Sequence, residues 1–265
     1  MFGVIPKMLW HKKYPADEDN LCSWALRSLL IDDDTHLTLI DNGFGTEIDQ
    51  KTLDHYHLFD TKSTSALLAE NGYKPEDVTD MVITHLHLDH CGGGVTRNTS
   101  GTLVTTFPNA TYHVSKAQWE WASNPNQREK DAYFPEHLAA MKKSGRLNLV
   151  ENEGLLLPGV AVRFYHGHTR GQMLPYIQYN GKTIVFVSDL LPAWPYIRLP
   201  WIMSYDVEPM ITLEEKKNFL QEAVEKDYIL YYQHDFTTEC STLKKTAGNI
   251  AVGEKFQFSA LATRE

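Results

Sequence analysis

The 265-residue chain predicts an α/β fold, a four-layer αββα sandwich that takes in residues 1–265 as one domain. Three observations carry that expectation. Strand-like apolar segments and helical segments alternate twice along the chain, with no internal repeat or low-complexity linker between them. The length exceeds that of an average domain yet is ordinary for one sandwich of this size. A histidine-rich run follows a short apolar segment and precedes three glycines, at the kind of strand end where open α/β sheets carry their chemistry.

Taken in order, Ser23 to Ile31 and His36 to Ile40 are apolar segments parted by Asp32-Asp33-Asp34, and they read as a hairpin that ends in Asp41-Asn42-Gly43-Phe44-Gly45. Ser63 to Asn71 is a short helix with Gly72 as its stop, and Lys116 to Trp121 and Arg128 to Lys143 are further helices. Met81 to Thr84, Thr111 to Val114, Ala161 to Tyr165, Thr183 to Val187 and Tyr228 to Tyr232 read as strands. Thr212 to Lys226 spaces Leu213, Phe219, Leu220 and Val224 along one side and turns Glu214, Glu215, Lys216 and Lys217 outward, which predicts an amphipathic helix with a solvated charged face.

Bulk properties exclude several classes. Hydrophobic residues make up 42% of the chain, enough for a large core, and no run approaches the roughly 18 apolar residues of a membrane span. A net charge of −9 without clustered Lys or Arg argues against nucleic acid. Cys22, Cys91 and Cys240 form no CxxC pair, and their odd number suits a reducing compartment. Met1 to Trp10 lacks the basic leader of a signal peptide, so a cytoplasmic location is the default.

The run Thr84-His-Leu-His-Leu-Asp-His-Cys-Gly-Gly-Gly94 places His85, His87, Asp89 and His90 within six residues. Imidazoles and a carboxylate so close together, with glycines to turn the chain behind them, are a metal-ligand cluster; a loop with no ligand role has little reason to combine them. Cys91, directly after His90, could bind metal or pack. This pattern of ligands resembles the signature of the metallo-β-lactamase superfamily of hydrolases, His-x-His-x-Asp-His followed by small residues, and the match is complete. The resemblance implies packing for Cys91, since that signature has a variable small residue there. The resemblance implies three further ligands. Gly167-His168-Thr169, Ser188-Asp189 and Gln233-His234-Asp235 supply them in order. It also implies that Asp41 supports the ligands from behind, where the residues alone allow a plain turn cap. Similar proteins usually begin with an extra strand, so the sequence reads as N-terminally shortened.

By the same analogy His85, His87 and His168 hold one metal, Asp89, His90 and His234 hold another, and Asp189 bridges them. Nitrogen and oxygen donors without thiolate suit two zinc ions, with iron or manganese accepting the same set. The expected chemistry is hydrolysis by a bridging hydroxide, with Asp89 relaying a proton to the leaving group. Tyr196 or Tyr205 is expected to donate to the developing oxyanion. Lactonases of the superfamily carry a Tyr soon after the bridging Asp, but here the third residue on is Pro192, so that position does not transfer cleanly.

Within the superfamily the chain looks nearest to the lactonase and organophosphate-hydrolase-like branch, which makes lactones or other small esters, acyl-homoserine lactones of quorum quenching among them, the expected small-molecule substrates. A glyoxalase II-like thioesterase is the alternative enzyme, although Gly167-His168-Thr169-Arg170-Gly171-Gln172 lacks the second histidine that usually follows the glycine in that pattern. A metal-stabilised, non-catalytic binding protein is the alternative of a different class. His166, His55, His57 and His113 are read as surface or packing residues. The aromatic and proline-rich segment Leu190 to Tyr205, with Phe2, Met8 and Trp10, is expected to wall an apolar pocket or to form a homodimer contact, against the plainer reading that it plugs the core.

Overall fold

The computed structural model describes residues 1–263, and by packing the chain divides into two compact units. The central unit spans Leu26–Glu151, and the composite unit joins Met1–Ala25 to Asn152–Glu265. The composite unit opens on a one-turn helix, α1 (Lys7–Trp10).

The central unit is built on a five-stranded sheet in which β1 (Leu29–Asp32), β2 (Leu37–Ile40), β3 (Asp80–Val82), β6 (Thr111–Ser115) and β7 (Leu147–Val150) lie side by side in that order. Only the β1–β2 pair is antiparallel; β2, β3, β6 and β7 run parallel. Parallel strands are covered on both faces and so carry continuous apolar runs. Every residue of β2 and β3 is accordingly buried. Between β3 and β6 stand the one-turn helix α4 (Leu88–Cys91) and a short hairpin of β4 (Val95–Arg97) and β5 (Leu103–Thr105). The core gathers Leu39, Met81, Ile83, Leu86, Tyr112, Val114 and Met141.

Side-chain caps start three helices of this unit. Asp49 accepts from Thr52 N ahead of α2 (Gln50–Tyr56), Ser63 from Ala66 N ahead of α3 (Thr64–Glu70), and Ser115 from Gln118 N ahead of α5 (Lys116–Ser123). The helix expected over Arg128 to Lys143 is shorter, because α6 occupies Pro135–Lys143. Pro135 lacks an N–H and pushes Phe134 into the extended region, so it can begin a helix and cannot sit inside one. The preceding residues make a single 3₁₀ turn, Lys130–Ala132.

The composite unit carries a seven-stranded sheet of β14 (Asn249–Phe256), β13 (Cys240–Thr246), β12 (Ile229–Tyr231), β11 (Lys182–Phe186), β10 (Gln172–Tyr179), β9 (Val160–Tyr165) and β8 (Gly154–Leu157) in that order. Only β11 and β12 pair in parallel, and α7 (Pro209–Glu225) is the crossover between them. One face of α7 buries Thr212, Lys216, Phe219, Leu220 and Ala223. Lys216 therefore corrects the expected solvated face: it lies four residues after Thr212 and three or four before Phe219 and Leu220, on the buried stripe. Its ammonium donates to the carbonyls of Trp201 at 2.5 Å and Leu199 at 3.3 Å. Burial lowers its pKa to about 7.

Leu190, Leu191, Ala193, Tyr196, Ile197, Trp201 and Met203 are all buried, in one core with Phe2, Leu174, Phe219 and Leu230, so much of the aromatic segment fills the interior of its own unit. Among the described residues no helix is long and apolar enough to cross a membrane, and all three cysteines are free.

Candidate metal centre

The central unit presents His85, His87, Asp89 and His90 just beyond β3, and the backbone there is held by close packing. A Cβ on Gly93 would stand 2.2 Å from the carbonyl oxygen of Asn42. Only glycine fits, and its Cα locks the ligand turn against the strand end that carries Asp41.

Asp41 is fully buried and accepts three hydrogen bonds: from Thr84 N at 2.8 Å, from the Thr84 hydroxyl at 2.8 Å and from His90 Nδ1 at 2.9 Å. Support of the ligands, which the sequence left open beside turn capping, is thus the role this carboxylate plays. The Thr84 hydroxyl spends its proton on Asp41, so it accepts at its 3.1 Å contact with His85 Nδ1. His85 Nε2 then carries a lone pair. That lone pair faces His87 Nδ1 at 3.1 Å. His90, with Nδ1 turned to Asp41, directs Nε2 toward Asp89 Oδ2 at 3.6 Å. Asp89 keeps its side chain 31% exposed, whereas His85 and His90 are fully buried.

In the composite unit three separate strand ends supply the donors. His168 follows β9 in a turn clamped by Glu215 of α7, whose carboxylate accepts from His166 N at 2.7 Å and Gly167 N at 3.0 Å. Gly167 is a second position that admits no side chain, since a Cβ would come within 2.3 Å of Thr212 N. Asp189 sits in the 3₁₀ turn after β11, and His234 follows β12. The two histidines meet opposite oxygens of that carboxylate, His168 Nε2 to Oδ2 at 3.0 Å and His234 Nε2 to Oδ1 at 3.1 Å. Their other nitrogens are held as well: His168 Nδ1 by Asp206 at 3.0 Å and His234 Nδ1 by the carbonyl of Ala25 at 2.9 Å. A carbonyl only accepts, so His234 carries a proton on Nδ1, and in its neutral form it would turn a lone pair toward Asp189.

Lone pair against carboxylate is repulsive unless a cation lies between them. For His168 that cation is a proton in the metal-free protein. Burial favours its neutral form, but Asp189 and Asp206 outweigh it and raise the pKa to about 10. The same acceptors suit a divalent metal. All the donors are imidazole nitrogen or carboxylate oxygen, a set that fits zinc and also accommodates iron or manganese.

The remaining candidates separate clearly. Tyr196 is 1% exposed, stacks on Phe2 with ring centres 5.3 Å apart, and its hydroxyl has no hydrogen-bond partner among the described residues. Burial raises its pKa, with Asp206 and Asp189 adding to the effect. Tyr205 is 61% exposed. His166, His55 and His57 are exposed. His113 is buried in a structural pair with Asp80 at 2.8 Å, and Asn148 donates to its other nitrogen. Cys91 is buried and donates to the carbonyl of Leu86. Three residues that hold the ligands, Asp206, Glu215 and Glu129, escape a reading of the sequence. Each lies 38 or more positions from the group it touches, and none stands in a spaced motif.

Residues 27–234 match the family model described as the metallo-beta-lactamase superfamily. The N-acyl homoserine lactonase AiiA of Bacillus thuringiensis subsp. kurstaki is 24% identical over 178 residues, which cover 66% of this chain and 63% of the lactonase. The chain thus spans less than two thirds of the length of that relative. A crystal structure of a probable metal-dependent hydrolase from Staphylococcus aureus superposes with a TM-score of 0.86 at 27% identity, covering 97% of this chain and 92% of the other. AidC, a dizinc quorum-quenching lactonase crystallised with a product, shares the fold at a TM-score of 0.73 and 20% identity, with coverage of 88% and 81%.

Proposed function

Because the chain belongs to the metallo-β-lactamase superfamily, we propose that it works as one metallo-hydrolase domain with two metal ions, acting on lactones or other small esters such as N-acyl homoserine lactones. The observation that carries this reading is the arrangement of acceptors. Asp189 presents one oxygen to His168 and the other to His234, so this one carboxylate could serve two metals. In the proposed centre His85, His87 and His168 serve one metal, Asp89, His90 and His234 the other, and Asp189 both. Zinc is the first choice. The lactonase relatives support the ester substrate class.

Bound divalent metals lower the pKa of a coordinated water from about 15.7 toward roughly 7 and polarise a substrate carbonyl. The protein supplies the rest. Asp89, the most open of the ligands, is placed to pass a proton to a leaving alkoxide. Tyr196 brings a buried hydroxyl that has no hydrogen-bond partner among the described residues and is held by its stacking on Phe2, and a carbonyl oxygen gaining charge would supply an acceptor. Tyr205, on the surface, is the lesser candidate for that role.

The test is metal analysis together with initial rates on a long-chain acyl-homoserine lactone, an aryl ester, a glutathione thioester and an aryl phosphotriester. Two metals per chain, preference for the lactone and loss of turnover on chelation are expected. Preference for the thioester would move the protein to the glyoxalase II-like alternative. Full metal with no turnover of any ester would leave a metal-stabilised binding protein.

A further inference from the structure

Thr84 holds the second nitrogen of His85, Asp41 that of His90, Asp206 that of His168 and the Ala25 carbonyl that of His234. His87 is held in the same way. Its Nε2 reaches Glu129 Oε1 at 3.3 Å, across 42 residues of sequence, in the segment between α5 and α6. We infer that Glu129 is a positioning residue that sets the tautomer of His87 and so turns His85 and His87 into a preformed two-nitrogen pincer for one metal. This rests on the metal-centre reading above and adds to it a residue and a mechanism.

The argument is one of donor and acceptor bookkeeping. Glu129 is 4% exposed. One of its oxygens receives the Trp121 indole N–H at 2.7 Å and the Asn126 amide at 2.7 Å, and the other receives the Tyr133 hydroxyl at 3.1 Å and His87. An ionised carboxylate has about four lone-pair positions and no proton to give. Trp121 and the Asn126 amide nitrogen can only donate and so commit one oxygen, while the other, on an ionised carboxylate, carries no proton and accepts from the Tyr133 hydroxyl, so the proton in the fourth contact belongs to His87 Nε2. Its lone pair is then on Nδ1. Thr84 independently places the His85 lone pair on Nε2. The two lone pairs face each other at 3.1 Å, a repulsion that a cation between them converts into attraction. Charge strengthens the pairing, since a carboxylate behind an imidazole raises its basicity toward a metal.

Glu129→Gln is the incisive change because it keeps size and reverses polarity. An amide N–H turned toward His87 Nε2 makes that nitrogen an acceptor and moves the proton to Nδ1. There it donates to His85 Nε2, and the pincer closes on itself. Two readouts apply: the His87 tautomer, from long-range nitrogen–proton NMR correlations in the metal-free protein, and zinc affinity, by competition with a chromophoric chelator. Expected are an Nε2–H tautomer in the wild type, an Nδ1–H tautomer in Glu129→Gln, and a 10- to 100-fold loss of affinity for one of two zinc equivalents. Glu129→Asp should recover part of that loss. Trp121→Phe removes a donor to Glu129 without altering the partner of His87. It should lower Tm while leaving the tautomer unchanged and the affinity within about twofold, a change far smaller than the supporting-residue range. An unchanged tautomer and affinity in Glu129→Gln, or equal losses in Glu129→Gln and Trp121→Phe, would show Glu129 to be only a structural hub and overturn the inference. Neither readout uses turnover. A protein that shows the tautomer switch but hydrolyses no ester would refute the proposed function alone.

Discussion

The two units arrive at metal-ligand chemistry by opposite routes. The central unit concentrates His85, His87, Asp89 and His90 in one turn beyond a single strand and backs them with Asp41, Thr84 and Glu129. The composite unit draws His168, Asp189 and His234 from the ends of three strands and organises them around one carboxylate. One route depends on a tight backbone and on paired nitrogens. The other depends on a sheet whose register brings distant strand ends together, so a single residue, Asp189, carries more of the arrangement.

That contrast predicts unequal damage. Asp189→Ala removes the acceptor that both His168 and His234 face, and it should lose both metal equivalents together with more than about 100-fold in turnover, beyond the range seen for supporting residues. His87→Ala should also lose activity but retain one equivalent. Elemental analysis beside kcat/KM decides the matter, and equal metal loss in the two variants would remove the distinction.

The carboxylates behind the ligands come next. Asp206→Asn should weaken metal binding by about 10- to 100-fold and leave one buried donor, His168 Nδ1, facing an amide. Asp41→Asn should weaken binding as much and in addition cost about 1–3 kcal/mol, because Thr84 and His90 are left with buried donors facing an amide. Denaturant melts of the metal-free variants separate the two effects.

Glycine replacements test the backbone. Gly93→Ala and Gly167→Ala each bring a methyl against main-chain atoms, at 2.2 Å and 2.3 Å, and each should cost about 1–3 kcal/mol, or a few degrees in Tm. Gly93 closes a turn that carries four candidate ligands, whereas Gly167 adjoins one, His168, so Gly93→Ala should release metal more readily. Matching metal affinities in the two variants would argue that both turns relax without moving their ligands.

The smallest effect lies away from the metal. In the composite unit Arg163 grips Glu222 through two contacts of 2.6 and 3.0 Å and holds the carboxyl pKa down, from 4.5 to about 2. A depressed folded-state value means that the contribution is present above pH 4.5 and disappears as pH falls toward 2. The pair is partly exposed, so solvent screening limits it to about 1 kcal/mol. Arg163→Met should flatten the acid limb of the stability curve by that amount while the metal centre is unaffected.

Legibility follows the same division. The run from His85 to His90 was readable because its chemistry is local: four donors, a strand before them and glycines after them. His168, Asp189 and His234 became readable only through resemblance, since nothing in a lone Gly-His-Thr or Ser-Asp marks a ligand. The helices that follow Ser63 and Ser115 stand where the sequence places them, whereas the helix expected from Arg128 starts only at Pro135, because a proline can begin a helix and cannot sit inside one. Lys216 was misplaced because charge suggested solvent, while helical spacing puts position 216 on the buried face, where carbonyls satisfy the ammonium.

By itself, then, the sequence determined the strand and turn that present the first ligands, the donor chemistry of nitrogen and oxygen without sulfur, and the family. Tertiary structure alone decided which nitrogen of each histidine is held from behind, which carboxylates stand there, that Tyr196 is buried with a hydroxyl that has no hydrogen-bond partner among the described residues, and that Tyr205 is exposed. The physical reason is range. A ligand type is a property of one residue and its neighbours, but a tautomer or an unpartnered hydroxyl is fixed by atoms that meet across 38 to 49 positions of chain, as His168 meets Asp206 and His90 meets Asp41, and only folding brings those atoms within hydrogen-bonding distance.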